Sequence, residues 1–281
     1  MVNFNGTLHD SSSHLLSIEN RGYAYGDALF ETLKVVHGKV LFWEDHYFRL
    51  MASMRIMRME IPMNFTMEFL ESEILKTIEA NHLSKATVRV RVNVHRIEGG
   101  KYGPISNDIN YNMVAERIEA DFYTLNEAPY TVELYKDFYV APGLLSTLKH
   151  NNKSINVLGS IFAKENKFDN CLLLNTNKTV VEALNGNLFL VKNRAIKTPP
   201  LTEGCLKGIM RKQLMELIEK LEGYTLEEAP ISPFELQKAD ELFITNVITG
   251  IQPITRYRKK DFTTEVSQLL LERLNTKIRL S

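Results

Sequence analysis

The segment 86–94 of this 281-residue chain alternates strictly between apolar and polar side chains. Successive side chains of a β-strand point to opposite faces, and a period of two residues does not suit a helix. The pattern therefore predicts a half-buried strand with Val88, Val90, Val92 and Val94 against the core. A chain with such a strand must fold so that one face of a sheet is covered and the other is left polar.

The first half of the chain carries further periodic segments, separated by proline-containing and glycine-containing turns. Helices are predicted at 44–57 and 66–80, and strands near 111–115 and 130–139. We expect these segments to form a first lobe, residues 1–141, with helices packed on a mostly antiparallel sheet.

The pattern changes after Ala141-Pro-Gly143, where we place the linker between two lobes. The second lobe, 142–281, is expected to contain helices at 153–166, 205–222 and 264–279 and strands at 171–175, 187–191 and 241–247. Short strands joined by irregular turns predict an α+β lobe with a compact, barrel-like sheet. No glycine-rich dinucleotide or P-loop fingerprint is present, so a doubly wound nucleotide fold is not favoured.

Composition excludes several classes of partner. The chain balances 34 basic against 34 acidic side chains, which gives no reason to expect nucleic acid. Its two cysteines, Cys171 and Cys205, show no pairing or metal-ligand spacing, so we expect no disulfide, no metal site and a reducing, cytoplasmic setting. The N-terminus lacks a basic segment followed by an apolar run, and no stretch of about 18 apolar residues occurs. We therefore expect neither export nor membrane insertion.

Lys149 stands at the expected junction of the lobes, after the apolar Leu148 and before a polar run. A lysine amine is a nucleophile only when deprotonated, which burial favours. Glu182 follows a strand-like run, and a carboxylate drawn inward there needs a cationic partner, such as the protonated ring nitrogen of pyridoxal phosphate. Local sequence also allows a solvated lysine and a solvated glutamate, and Lys153 is a competing candidate.

Two further segments suit an anion. Arg49 lies on a predicted helix, and a guanidinium binds phosphate through paired hydrogen bonds. An ion pair with Glu44 or Asp45 is the alternative role. The helix start Gly208-Ile209-Met210 presents backbone N–H groups and the positive end of a helix dipole, although a plain turn-to-helix junction has the same sequence.

Taken together, in order and spacing, these segments resemble the class IV aminotransferases, the fold-type IV pyridoxal phosphate enzymes. The matching segments are Arg21-Gly-Tyr-Ala-Tyr-Gly-Asp27, Leu29-Phe-Glu-Thr32, His46-Tyr-Phe-Arg-Leu50, Lys149 with Asn152, Glu182 to Phe189, Thr198-Pro199, Gly208-Ile-Met-Arg211 and Glu241 to Pro253. The resemblance implies an α+β, two-lobe architecture like that of D-amino acid aminotransferase, with pyridoxal 5'-phosphate as cofactor. Lys149 precedes Glu182 by 33 residues, which matches the family, whereas Lys153 precedes it by only 29.

The resemblance also implies roles for individual residues. Lys149 is the catalytic, Schiff-base residue, Glu182 pairs with the ring nitrogen, and Arg49 binds the phosphate. The phosphate cup is expected to be completed by the backbone N–H groups of Ile209, Met210, Val247 and Ile248. Positions 210 and 247 often carry a hydroxyl in the family, so this chain is expected to depend more on backbone donors and Arg49.

Three activities of the family fit the chain. The lyase that releases pyruvate from 4-amino-4-deoxychorismate is favoured by Lys149-His150 and by the loop 98–104, with Arg96 and Tyr102 as expected substrate contacts. Glu31, next to the expected substrate contact Phe30, is instead common in aminotransferases. The Arg-x-His carboxylate trap typical of D-amino acid aminotransferases is absent.

We therefore favour a transaminase for branched-chain-like amino acids and their keto acids, with the lyase as alternative and the D-specific enzyme behind both. The resemblance implies a homodimer in which a loop of the neighbouring first lobe completes each active site. A non-catalytic protein that retains the fold is the competing class, but the lysine, glutamate, arginine and helix-start turn occur together in this chain.

Overall fold

The alternating segment lies in the middle of a six-stranded sheet in the computed structural model, which describes residues 1–280. This sheet belongs to the first of two compact units, made of Met1–Asp121 and Lys149–Asn152. Its elements are β1 (Val2–Phe4), β2 (Thr7–His9), α1 (Arg21–Tyr25), β3 (Ala28–Val36), β4 (Lys39–Val40), α2 (Trp43–Ile56), α3 (Met67–Ala80), β5 (Thr87–Arg96) and β6 (Ile109–Ile118). The strand order is β2-β1-β6-β5-β3-β4, and neighbouring strands are antiparallel.

The predicted face of β5 is confirmed, because Val88, Val90, Val92 and Val94 are all buried. Helix α2 packs on β3 and α3 packs on β6, so the helices cover this apolar side of the sheet. Both helices lie within one residue of the predicted bounds. The start of α3 is fixed by Thr66, whose hydroxyl accepts a hydrogen bond from the Phe69 N–H at 3.2 Å.

Strand β3 was not predicted, although it pairs with β5 along its whole length. Its side chains Leu29, Leu33 and Val35 are buried on the covered face of the sheet. Glu31 occupies the same row and is also buried. A carboxylate in the middle of the apolar row hides the period of two residues by which a strand is identified.

The second unit contains Phe122–Leu148 and the described residues from Lys153 onward. Its elements are β7 (Thr131–Val140), α4 (Ser154–Glu165), β8 (Asn170–Asn175), β9 (Val180–Ala183), β10 (Gly186–Lys192), β11 (Ala195–Thr198), α5 (Ile209–Ile218), β12 (Thr225–Glu228), α6 (Pro233–Leu236), β13 (Glu241–Asn246), β14 (Gly250–Ile254), β15 (Arg256–Tyr257), β16 (Lys260–Asp261) and α7 (Glu265–Leu280). All ten strands join one mixed sheet, in which β10 pairs with β9, β11 and β13. Its core includes Phe189 and Phe243, whose stacked rings have centroids 5.1 Å apart.

Two predicted helices of this unit differ in detail. Helix α5 is shorter than the predicted 205–222, and Leu206 and Leu217 are only half-buried. Helix α4 has the predicted bounds to within one residue, but Val157 and Ile161 are 56% and 48% exposed. The apolar period therefore located both helices but did not identify the buried face of α4.

The division of the chain differs from the expected boundary after residue 141. Strand β7, expected in the first lobe, runs parallel to β8 in the sheet of the second unit. The segment Lys149–Asn152, expected in the second lobe, belongs to the first unit, because His150 forms an antiparallel bridge with Leu29 of β3. Gly26, with φ +66°, permits this close approach, since a Cβ there would lie 2.1 Å from Asn152 Oδ1.

Among residues 1–280, no helix is both long and apolar enough to cross a bilayer. The same residues contain no group of three His, Cys, Asp or Glu side chains arranged to hold a metal ion.

Candidate functional site

Backbone hydrogen bonds hold Lys149 against strand β3. Its carbonyl accepts a hydrogen bond from the Phe30 N–H at 2.8 Å, and the Asn151 N–H donates to the Ala28 carbonyl at 3.0 Å. The half-buried Lys149 side chain places Nζ 4.4 Å from the centroid of the Phe30 ring. The pairing fixes the backbone on both sides of the lysine, so only side-chain torsions remain to orient the amine.

The Phe30 ring contacts a second cation, which sequence reasoning missed. The guanidinium carbon of Arg91 lies 4.3 Å from the same ring centroid. Arg91 Nε donates to Asn93 Oδ1 at 2.9 Å, which fixes the plane of the group. The signal was present in the sequence, because Arg91 lies on the polar face of the alternating strand.

Glu31, His46 and Arg49 form a buried cluster on the covered side of β3. Arg49 Nε donates to Glu31 Oε1 at 2.8 Å, and Arg49 also donates to Oε2 through a terminal nitrogen. His46 Nδ1 lies 2.7 Å from Glu31 Oε2. Burial alone would raise the pKa of the Glu31 carboxyl, but Arg49 and the hydrogen bond from His46 outweigh it and lower the pKa from 4.5 to about 2. Glu31 is therefore an anion that orients both neighbours.

Burial also determines the state of His46. It lowers the pKa of the imidazole, against the opposing effect of Glu31, so the ring is neutral near pH 7. Because a carboxylate only accepts hydrogen bonds, Nδ1 carries the proton and Nε2 carries the lone pair. Within the described part of the chain, the buried Nε2 has no hydrogen-bond partner.

Arg96 was expected to contact a substrate carboxylate, but its donors are used within the protein. Nε donates to Asp27 at 2.9 Å, and the terminal nitrogens donate to Asn107 Oδ1 and to the carbonyls of Met57 and Arg58. The buried guanidinium joins the end of α2 to the segment after β5. Arg96 thus serves as a scaffold residue in this structure.

Tyr102 lies on a loop that is also held from inside the first unit. Arg21 pairs with Asp27 at 2.9 Å and donates to the carbonyls of Gly99, Lys101 and Tyr102 at 3.0, 2.6 and 3.3 Å. The Tyr102 side chain itself is 90% exposed. Its contact with a substrate therefore stays a prediction.

In the second unit, Glu182 is positioned by two donors. Its Oε2 accepts the Leu206 N–H at 3.0 Å and Asn187 Nδ2 at 3.3 Å. Asn187 is buried and also donates to the Leu206 carbonyl at 2.9 Å, so its own orientation is fixed. Burial lowers the pKa of Lys153 and Glu182 opposes this effect, which places the Lys153 amine within the electrostatic reach of Glu182.

The start of α5 has the geometry of an anion site. Helix-start N–H groups lack partners inside the helix, and Gly208 caps α5 without a side-chain hydrogen bond to them. A Cβ at Gly208 would lie 1.9 Å from Asn187 Oδ1, so only glycine fits beside this buried side chain. Ile209 and Met210, whose N–H groups were predicted to bind phosphate, occupy the first helical positions.

The turn between β13 and β14 is closed by a side chain. The Ile248 N–H, predicted to bind phosphate, donates instead to Asn246 Oδ1 at 3.0 Å, and the Thr249 N–H donates to the same oxygen. The Asn246 side chain thus closes the turn by accepting hydrogen bonds from the backbone that follows it. Val247, the residue before Ile248, is anchored because its carbonyl accepts a hydrogen bond from the buried Tyr123 hydroxyl.

The predicted residues thus fall into one group in each unit. In the first unit, Lys149 and Arg49 are both organised by β3, through Phe30 and Glu31 respectively. In the second unit, Glu182 and the start of α5 meet around Asn187. Arg49 pairs with Glu31, because β3 and α2 bring residues 18 apart into contact.

Comparison with known proteins gives a consistent result. Residues 28–257 match the model of the family described as amino-transferase class IV. A protein of Methanocaldococcus jannaschii with the provisional name branched-chain-amino-acid aminotransferase is 29% identical over 266 residues, covering 90% of this chain and 86% of the relative. Aminodeoxychorismate lyase of Vibrio harveyi is 25% identical over 244 residues, covering 84% and 85%.

A solved structure shows the same fold. The branched-chain aminotransferase of Thermoproteus uzoniensis, crystallised with norvaline, superimposes with a TM-score of 0.87 at 22% identity and covers 97% of this chain and 92% of that one. At this level of identity the likeness is evidence of fold alone. It confirms the expected α+β fold class.

Proposed function

Because the chain belongs to the class IV aminotransferase family, we propose that it transfers amino groups between amino acids of branched-chain type and keto acids. Members of this family are pyridoxal phosphate enzymes, and this chain is one of them. The expected family and cofactor are thereby confirmed, while the substrate is our proposal. The observation that carries the proposed amino-group transfer is Lys149, whose backbone is fixed by strand pairing with β3 and whose amine lies beside Phe30.

The residues present fit this cofactor. Glu182 is a carboxylate fixed by two donors and suits a protonated ring nitrogen. The start of α5 offers N–H groups that no side chain caps, beside a glycine that leaves room for the Asn187 side chain. We assign the phosphate to Arg49 and to the N–H groups of Ile209, Met210 and Val247, since the Ile248 N–H is already used.

When bound, the cofactor supplies an electron sink that stabilises negative charge on the substrate's α-carbon. Lys149 would hold the cofactor through its amine, and the same amine would remove and return the substrate's α-proton as a general base and acid. Glu182 would hold a proton on the ring nitrogen. Glu31 keeps the Arg49 guanidinium in a fixed orientation and holds His46 in the tautomer with its proton on Nδ1.

Two relatives support different substrates. The name of the Methanocaldococcus jannaschii protein supports a branched-chain amino acid. The Vibrio harveyi lyase supports the alternative, release of pyruvate and p-aminobenzoate from aminodeoxychorismate. The loop 98–104, which resembles the substrate loop of the lyase, is held in place by hydrogen bonds from Arg21. We place the aminotransferase first because a glutamate at position 31 is common in the aminotransferases that this chain resembles. In this chain Glu31 orients Arg49.

The proposal is tested by offering the holoenzyme one substrate at a time. L-leucine, L-glutamate, D-alanine and aminodeoxychorismate are incubated separately, and keto acids, pyruvate and p-aminobenzoate are measured. We expect a branched-chain keto acid from leucine with conversion of the cofactor to its amine form. Release of pyruvate and p-aminobenzoate without that conversion would identify the lyase and contradict the aminotransferase.

We also propose that the enzyme is a cytoplasmic homodimer. Val157, Leu158 and Ile161 of α4 are each more than 40% exposed, which leaves an apolar surface suited to a second copy. The buried, unpaired Cys171 and Cys205 suit a reducing compartment. Light scattering at micromolar concentration is expected to give twice the mass of the chain, and a monomer would contradict the shared active site.

A further inference from the structure

His95 is a buried histidine that the proposed mechanism does not use. It lies near the end of β5, on the face opposite the buried valines, and is 3% exposed. Its Nδ1 atom lies 3.0 Å from Asn20 Nδ2 and 3.2 Å from the Arg96 carbonyl oxygen. Its Nε2 atom is buried and has no hydrogen-bond partner among residues 1–280. One ring nitrogen thus faces both a donor and an acceptor, so its protonation decides which contact is a hydrogen bond.

The orientation of the Asn20 side chain is fixed by helix α1. Asn20 is the N-cap residue of α1, and its Oδ1 accepts the Tyr23 N–H at 3.0 Å. Because a backbone N–H only donates, the oxygen of the amide faces Tyr23 and the NH2 group faces His95. The NH2 group needs an acceptor, so the neutral ring has its lone pair on Nδ1 and its proton on Nε2. Neutral His95 therefore stabilises the capped form of α1.

A protonated ring reverses this arrangement. Both ring nitrogens then carry a proton, so Nδ1–H can donate to the Arg96 carbonyl but opposes the Asn20 NH2 group. Rotation of the amide by half a turn relieves the opposition, because Oδ1 then faces His95. The same rotation turns the NH2 group towards the Tyr23 N–H, and α1 loses its side-chain cap. The single oxygen of Asn20 thus serves either α1 or protonated His95, but not both.

Helix α1 connects this amide to the loop 98–104. The helix has only five residues, so its stability depends strongly on its cap. It carries the buried Arg21, which donates hydrogen bonds to backbone carbonyls of the loop. Gly22 packs directly on His95, since a Cβ at Gly22 would lie 3.3 Å from the His95 Cβ. The cap of α1 therefore determines where the residue that holds the loop is placed.

The charged groups around His95 come from α1, from the residue before β3 and from the end of β5. They are Arg21, Asp27, Arg96 and Glu98. Strands β1 and β6 present the uncharged Phe4 and Asn110. Burial lowers the pKa of His95 from its ordinary value of 6.5, against the Arg96 carbonyl, Glu98 and Asp27. Because the pKa is lower in the folded state than in the unfolded state, the ring is neutral at pH 7. The neutral form is lost as pH falls below 6.5 through the lowered pKa.

We propose that His95 is a proton-sensitive latch on α1 and the loop 98–104. The neutral ring holds Asn20 in the capping orientation, and Arg21 then holds the loop. Protonation turns the amide, removes the cap of α1 and loosens the loop. The latch goes beyond the proposed function, because it concerns how the loop is held and not which substrate reacts.

The test measures hydrogen exchange of the full chain by mass spectrometry from about pH 7.5 to about pH 5, corrected for the intrinsic effect of pH. Wild type is compared with His95→Asn, whose side-chain oxygen accepts from Asn20 without titrating. Asn20→Asp supplies one carboxylate oxygen for each partner. The control is His82→Asn, since His82 is exposed and has φ +59°, which asparagine tolerates. Nitrogen chemical shifts of labelled histidine report the tautomer of His95.

We expect exchange in α1 and in the loop 98–104 to become about fivefold faster in wild type as pH falls, the scale of a lost side-chain cap. Helix α3, in the same unit, keeps its protection. His95→Asn shows no such change, and His82→Asn behaves as wild type. Asn20→Asp keeps its protection at low pH, because one oxygen caps α1 while the other accepts from protonated His95. At pH 7, wild-type His95 carries its proton on Nε2.

Equal protection of α1 and the loop at both ends of the pH range overturns the inference. A loss of protection that persists in His95→Asn also overturns it, since another group would then be the sensor. A loss that extends equally to α3 contradicts the latch, because it reports general acid unfolding. If His95→Asn does not fold, the other two measurements decide: a proton on Nδ1 of His95 at pH 7, or an Asn20→Asp exchange profile identical to wild type, rules the latch out.

Discussion

At the scale of single residues, Glu31 determines the electrostatics of the first unit's covered face. It is 2% exposed, carries one negative charge and contacts two basic side chains. A buried carboxylate without such partners would be strongly destabilising. Its pKa is lowered to about 2, which means that folding is linked to its ionised form.

We predict that Glu31→Gln lowers the free energy of unfolding by about 3 kcal/mol at pH 7. Because the folded pKa is lower than the unfolded value of 4.5, the contribution is complete well above pH 4.5 and is lost as pH falls towards about 2. The difference between wild type and variant should therefore decrease to roughly half by about pH 3. Urea denaturation at a series of pH values measures it.

Glu116→Gln is the matched control, since Glu116 is 61% exposed and pairs with Arg89 at the surface. It should leave the unfolding free energy unchanged. A Glu31→Gln deficit that is constant from pH 7 to pH 3 would show that the carboxylate charge is not what stabilises the cluster.

Sequence reasoning identified Arg49 as an anion-binding candidate but not the residue that orients it. The partners considered as the alternative to phosphate, Glu44 and Asp45, are on the same helix as Arg49, where contacts follow from local spacing. Glu31 is on another element, and nothing in a single sequence reports a contact between a strand and a helix. Arg91 was missed for a related reason: alternation identifies the polar face of β5 but not which arginine lies over the Phe30 ring.

At the scale of elements, the start of α5 connects a helix to the fixed carboxylate of the second unit. Gly208 leaves room for Asn187, which in turn holds Glu182 and the Leu206 carbonyl. A methyl group at position 208 must displace Asn187, because the two would be 1.9 Å apart. The displacement also removes the hydrogen bond from Asn187 to the Leu206 carbonyl, two residues before Gly208.

We predict that Gly208→Ala raises the dissociation constant of pyridoxal phosphate at least about tenfold, which corresponds to about 1.4 kcal/mol. Titration of the apoprotein, followed by absorbance, measures it. Gly143→Ala is the control, since a Cβ there has no neighbour within 4 Å. Unchanged cofactor affinity in Gly208→Ala would remove the start of α5 from the phosphate site.

Elements whose apolar period is uninterrupted could be predicted from the sequence, whereas a strand whose apolar period is interrupted could not. Strand β5 and helix α3 have clean patterns, and their bounds agree with the prediction to within two residues. Strand β3 has a charged residue in its apolar row and was missed. The end of α5 was overestimated because Leu221 continues its apolar period beyond Ile218, where the helix stops.

At the scale of the whole molecule, the placement of Lys149 is what sequence could least predict. The spacing to Glu182 selected it over Lys153, but its strand partners are Ala28, Leu29 and Phe30, about 120 residues earlier. Pairing at such separation is a property of topology, and a single sequence carries no direct signal of it. The structure also places Lys153 in the unit that contains Glu182, so the two lysines must be distinguished by experiment.

The most direct measurement is borohydride reduction of the holoenzyme followed by peptide mass spectrometry, in wild type, Lys149→Ala and Lys153→Ala. Lys149 is expected to carry the fixed pyridoxyl group in wild type and in Lys153→Ala, while Lys149→Ala carries none and is inactive. The Lys153→Ala variant controls for loss of a lysine from the same segment. A pyridoxyl group found on Lys153, or one retained by Lys149→Ala, would contradict the assignment of Lys149 as the residue that attaches the cofactor.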